Sequence, residues 1–138
     1  MLGELEGDDH VVICDMEAGL GTVSRIGPGQ LDAVVIVAEP SAKGIDVAHR
    51  AAQIAASRAP VIVVANRLRD EADLAAIRAA TDGHELSAVP EEPVILRADR
   101  EGLAPIDLDP EAPGVKALLG LADRLVDMLD SHEAGRRG

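Results

Sequence analysis

The chain has 138 residues, a formal net charge of -12 and 47% hydrophobic residues, yet it contains no Phe, Trp or Tyr. This length suits one domain with a real core, while the acidic surface should repel nucleic-acid backbones and anionic membranes. The missing aromatic rings exclude the base stacking of single-strand binders. A single cysteine, no basic leader and no long apolar run together predict a cytoplasmic protein.

The first predicted strand is Val11–Asp15, because a short and mostly β-branched apolar run is typical of a buried parallel strand. Cys14 lies inside it and is expected to be buried as a small hydrophobe. Asp15 then falls at the carboxyl end of the strand, where open α/β sheets bind ligands, and Gly19 and Gly21 follow. This arrangement can hold magnesium and a terminal phosphate, although a strand followed by a simple turn gives the same string.

A glycine-rich loop follows over 17–30, with a predicted helical turn at 22–26 and Arg25 as a phosphate partner or a solvated surface residue. Apolar runs then alternate with amphipathic segments. We predict strands at 33–39, 61–65 and 85–89, helices at 42–58, 70–80 and 114–131, one helical turn at 94–98, and an ordered loop over 99–110. This order predicts a three-layer α/β fold with a mostly parallel sheet flanked by helices. One domain covers 1–133, and 134–138 form a frayed tail.

Asn66 follows the strand at 61–65, and its side-chain amide could pair with the edge of a base through its donor and acceptor. A turn asparagine is the alternative. Four histidines are scattered without the spacing of metal ligands and are expected at the surface.

Five segments, in order, resemble the second half of the MinD/ParA-type P-loop ATPases. They are CDMEAGLGTVSR, AVVIVAEPS, VIVVANR, SAVPEEP and ADREG. The branch that they resemble most is the maturation ATPases of nickel-containing carbon monoxide dehydrogenase. The resemblance covers nearly all of 1–131 and implies a partial P-loop NTPase fold.

The resemblance also implies roles for individual residues toward ATP and Mg²⁺. Asp15, in the Walker B segment, would hold Mg²⁺ through water, and Glu17 would position water, so both would be catalytic. The backbone of Gly19 would meet the γ-phosphate. The adenine side would be formed by Asn66, Pro90 and Glu91.

The phosphate-binding P-loop of that family has no counterpart in this sequence. No segment matches Gly-x-x-x-x-Gly-Lys-[Ser/Thr], and the only lysines, Lys43 and Lys116, do not follow a glycine-rich turn. The branch's Cys-x-Cys metal motif is absent as well. Nothing then offsets the roughly 3–4 negative charges of a nucleotide triphosphate. We therefore predict that this chain alone does not hydrolyse ATP and binds it weakly or not at all.

The resemblance implies that, in the family sheet, the strand that carries the P-loop lies between the counterparts of Val11–Asp15 and of the strand at 33–39. Its absence predicts either direct pairing of those two strands, or a homo-oligomer or partner chain that supplies the missing strand. The predicted function is a partial ATP-binding domain related to metalloenzyme maturation factors, with a metalloenzyme as a possible client. The alternative is a non-catalytic regulatory or protein-interaction module. A flavodoxin-like phosphoacceptor is disfavoured, because Asp8 and Asp9 precede a strand and no strand ends in lysine.

Overall fold

Three parallel strands form the centre of the molecule in the computed structural model, which describes residues 11–16 and 20–138. The strands are β1 (Val34–Ala38), β2 (Val61–Leu68) and β3 (Glu85–Pro90), in the order β1-β2-β3. Val34 pairs with Val61, and Ile62 pairs with Glu85. The predicted α/β fold with a parallel sheet is confirmed, and the three later predicted strands lie where the apolar runs placed them.

Six helices accompany these strands in the described residues. They are α1 (Leu20–Ser24), α2 (Ala42–Ala56), α3 (Glu71–Ala80), α4 (Pro93–Glu101), α5 (Pro105–Leu108) and α6 (Pro113–Arg137). The helix α4 exceeds the predicted single turn and ends at Gly102, whose φ of 68° gives a left-handed cap. The short α5 lies within the predicted loop, and α6 continues through the predicted tail as far as Arg137. Among the described helices, none combines the length and the apolar composition that crossing a membrane requires.

The helices cover the sheet on both faces and give three layers. On one face, buried residues of β1 and β2 pack with α2 and with Ile77 of α3. On the other face, Ile62, Val64 and Val89 pack against α6. The buried side chains of α2 are all alanines: Ala48, Ala51, Ala52 and Ala55.

Side-chain caps start the helices that follow the strands. Ser41 Oγ accepts a hydrogen bond from the Gly44 N–H at the start of α2, and Asp70 caps α3 in the same way. Glu92 caps α4 by accepting from the Val94 N–H, and its second oxygen accepts from the N–H of Gly114. One carboxylate therefore joins the beginnings of α4 and α6.

The predicted strand Val11–Asp15 is wrong. Residues 11–16 have no regular secondary structure, and Val11 and Ile13 are 65% and 86% exposed. Cys14 is also exposed, which contradicts its predicted burial. A β-branched apolar run becomes a strand only where a neighbouring strand supplies hydrogen bonds and another layer covers it. Within 11–16 and 20–138, neither is present for this segment.

Candidate functional site

The carboxyl ends of the three strands meet at one edge of the sheet, which is where α/β sheets bind ligands. The chain leaves β1 through Glu39 and Ser41, and Asn66 lies near the end of β2. The pairing of Leu68 with Pro90 continues the ladder past an irregularity after Ala65. The Glu91 N–H donates to the Leu68 carbonyl at 2.9 Å. The ends of β2 and β3 are therefore held together.

Arg67 is the most unusual residue of this edge. Its φ of 58° makes it the one non-glycine residue with positive φ in the described chain. Such a conformation costs about 1–3 kcal/mol and persists where the surroundings enforce it. The guanidinium lies 3.5 Å from a Glu39 carboxylate oxygen and 3.8 Å from one of Glu91. Arg67 thus links the ends of β1 and β3 across β2, with its side chain about half exposed.

Arg69, the second cation of the edge, is bound to α3. Its Nε and one terminal nitrogen donate to the two carboxylate oxygens of Asp73, and its backbone N–H donates to Asp73 as well. The side-chain hydrogen bond with Asp73 raises the pKa of Arg69 above its ordinary value. The same bond, with the backbone bond second, lowers the pKa of the Asp73 carboxyl. The positive charge of Arg69 is therefore already paired with a carboxylate of the same chain.

A shallow cleft of about 200 Å³ lies between these groups, lined by Glu39, Pro40, Ser41, Arg67, Arg69 and Glu91. Sites that bury a whole drug-sized ligand are typically about 300–1,000 Å³. The cleft can therefore receive one small group or part of a larger molecule. The first turn of α2 closely approaches the backbone that follows β1, because a Cβ at Gly44 would lie 2.8 Å from the Glu39 carbonyl oxygen.

The residues predicted from the sequence divide into two sets. Asn66 is half-buried, and Pro90 and Glu91 lie on the neighbouring strand end, so these three share one edge. Asp15 is exposed in the irregular segment 11–16 and does not end a strand. Glu17 and Gly19 lie outside the described residues. Across 11–16 and 20–138, the structure brings no three His, Cys, Asp or Glu side chains into a metal-binding group.

The sequence reasoning missed the pairing of Arg67 with the two glutamates. The available signal was that Glu39 ends a predicted strand and that Arg67 and Glu91 each lie two residues after one, so parallel pairing would bring the three to the same edge. The left-handed backbone of Arg67 has no such signal, since that region normally favours glycine.

Comparison of the sequence with models of known protein families and with curated proteins finds no match.

Proposed function

We propose that this chain is a non-catalytic domain that forms the base side of an adenine-nucleotide site, related to MinD/ParA-type ATPases and to the maturation ATPases of carbon monoxide dehydrogenase. The observation that supports it best is the position of Asn66, half-buried at the carboxyl edge of the sheet and next to the end of β3. An asparagine amide offers both a donor and an acceptor, which an adenine edge requires. Pro90 and Glu91, at the end of the neighbouring strand, would form the other side of this site; of the three residues, only Glu91 lines the described cleft.

The charges of the edge argue against a triphosphate site made by this chain alone. Arg67 faces Glu39 and Glu91, and Arg69 is bound to Asp73. Binding phosphates there would require breaking these pairs beside two exposed acids. The proposal therefore assigns phosphate binding, together with Mg²⁺, to residues supplied by another polypeptide. It includes a cytoplasmic location and a metalloenzyme client, as for the family that the sequence resembles.

Calorimetry with adenosine, guanosine and Mg-ATP tests this proposal. We expect adenosine to bind weakly, with a Kd of about 1 mM, which corresponds to roughly -4 kcal/mol. Mg-ATP should bind no more tightly than adenosine, because the local acids repel its phosphates. Asn66→Ala should abolish the adenosine signal, whereas Gln53→Ala, at an exposed position of α2, should leave it unchanged.

Two results would contradict the proposal. If adenosine and guanosine bind with equal affinity, or if neither binds, Asn66 does not recognise adenine. Magnesium-dependent ATP hydrolysis that is lost in Asp15→Ala would show an active enzyme instead.

A protein-interaction module is the second candidate, and a separate observation favours it. The strand β1 pairs only with β2 among the described strands, and its side chains Val35 and Val37 are 38% and 59% exposed. An exposed apolar sheet edge is a common site of strand addition by another polypeptide.

A further inference from the structure

The helix α6 carries more apolar surface than its contact with the sheet uses. The row that packs on the sheet consists of Ala117, Leu121, Leu125 and Met128. A second apolar row follows the buried Val115 and consists of Leu119, Ala122, Val126 and Leu129. Leu119 and Val126 are 40% and 49% exposed. Since successive residues of a helix are rotated by about 100°, these two point roughly 140–160° away from Leu121 and hence away from the sheet.

The second row has the spacing of a coiled-coil seam. From Val115 its members follow one another at steps of four, three, four and three residues, which are the a and d positions of two heptads. This spacing keeps a partner helix in contact over several turns. Ala122 lies between the larger Leu119 and Val126, so a large apolar side chain of a partner would fit there. We call Leu119, Ala122, Val126 and Leu129 the α6 seam.

Two exposed acids beside the α6 seam have no partner in the described chain. Asp123 and Asp130 occupy e positions one heptad apart, and neither forms an ion pair within 11–16 and 20–138. The basic side chains of the helix are already engaged with other acids. The pairs are Lys116 with Glu111, Arg124 with Glu85, Arg136 with Asp32 and Arg137 with Glu133. The charge beside the seam is therefore negative and uncompensated.

We propose that the α6 seam binds an amphipathic helix of another polypeptide, one that has its own apolar heptad row with lysine or arginine beside it. Residues at e and g positions select the partner of a coiled coil through ion pairs, and basic side chains would pair with Asp123 and Asp130. The apolar row of the partner would cover Leu119 and Val126. This surface does not depend on the proposed nucleotide function, because no residue of α6 lines the cleft at the strand ends.

Two other occupants fit the seam less well. In an antiparallel two-fold pairing with a second copy, Leu119 would lie opposite Leu129, and Asp123 would face Asp123 of the second copy. Like charges would then meet at the centre of a contact between two chains of net charge -12. The apolar segment 11–14 of the same chain is exposed and irregular, so it does not cover the seam.

A peptide titration of the full chain tests the proposal. The probe is a synthetic helix of about three heptads with Leu at a and d, Lys at e and g, and one Trp at the central d position. A second peptide carries Glu in place of each Lys. Because the chain itself has no Trp, the fluorescence of the peptide reports its burial directly. We expect the Lys peptide to bind with a blue shift of its emission and the Glu peptide not to bind.

Variants with matched controls locate the contact. The double variant Asp123→Asn/Asp130→Asn should weaken binding about two- to thirty-fold, the range that two exposed ion pairs give. Val126→Gln should weaken it about fourfold or more, because half of that side chain remains to be buried. The controls Asp99→Asn/Asp107→Asn, at exposed acids of α4 and α5, and Leu96→Gln, at a 46% exposed position of α4, should bind as the wild type does.

Three results would overturn the proposal. The first is a failure of the Lys peptide to bind. The second is equal weakening by the two double variants, or wild-type binding by Val126→Gln, since the peptide would then follow the acidic surface as a whole and not the seam. The third comes from sedimentation equilibrium of the chain alone: a dimer that Val126→Gln dissociates would assign the seam to a second copy. Circular dichroism of each variant checks that α6 is intact.

Discussion

Replacing Gly114 by alanine tests the junction between α4 and α6. An alanine Cβ at this position would lie 2.5 Å from the Cβ and 2.9 Å from the Cγ of Glu92. Glu92 must then move, and it would lose its hydrogen bonds to the N–H groups of Val94 and Gly114. Loss of the cap costs about 1 kcal/mol, and loss of a bond to a charged acceptor costs about 1.5–3 kcal/mol. The higher helix propensity of alanine returns only about 0.5–1 kcal/mol. The expected net destabilisation is about 2 kcal/mol.

The assay is urea unfolding followed by far-ultraviolet circular dichroism, since the chain contains no Trp or Tyr. Gly120→Ala is the matched control, because Gly120 lies within the same helix and its added Cβ meets nothing within 4 Å. That variant should be about 0.5–1 kcal/mol more stable than the wild type. If Gly114→Ala is as stable as Gly120→Ala, the contact between Glu92 and Gly114 does not constrain the fold.

Two further predictions concern the core and the charged edge. Ile77→Ala should lower the free energy of unfolding by about 2–5 kcal/mol, because Ile77 is fully buried; a loss under 1 kcal/mol in the same urea assay would contradict its central position. The pKa of Asp73, measured by NMR, should lie below its ordinary value. It should rise toward that value in Arg69→Ala without reaching it, because the backbone N–H at position 69 still donates to the carboxylate. Because folding lowers this pKa, ionised Asp73 stabilises the folded state above the unfolded-state pKa of about 4, and this stabilisation is lost as pH falls through the folded-state pKa. Asp73→Asn should therefore lose less stability in acid than the wild type.

Hydrophobic periodicity was sufficient to predict most of the fold. The three paired strands contain continuous apolar runs. The helices α2 and α3 directly follow Ser41 and Asp70, which are residue types typical of helix N-caps. The run at 11–15 has the same composition but is exposed, because composition measures the tendency to be buried and not the presence of a neighbour. The same limit explains the wrong prediction for Cys14.

The candidate site could be predicted only in part. The position of Asn66 beside Pro90 and Glu91 follows from parallel strands that end together. The ion pairs of Arg67 had a signal in the shared ends of the predicted strands, but its left-handed backbone had none; it coincides with an irregularity in the ladder between β2 and β3. The magnesium role of Asp15 depended on a strand that the structure does not contain, and it remains a prediction from the family resemblance.

The all-alanine buried stripe of α2 has a consequence for ligand selection. Short side chains let the axis of the helix approach the sheet closely, and a dense interface of this kind has few alternative arrangements. Ser41, at the first turn of the helix, is therefore held at a set height above the strand ends. A molecule that enters the cleft would therefore have to fit the position that the packing of α2 gives to Ser41.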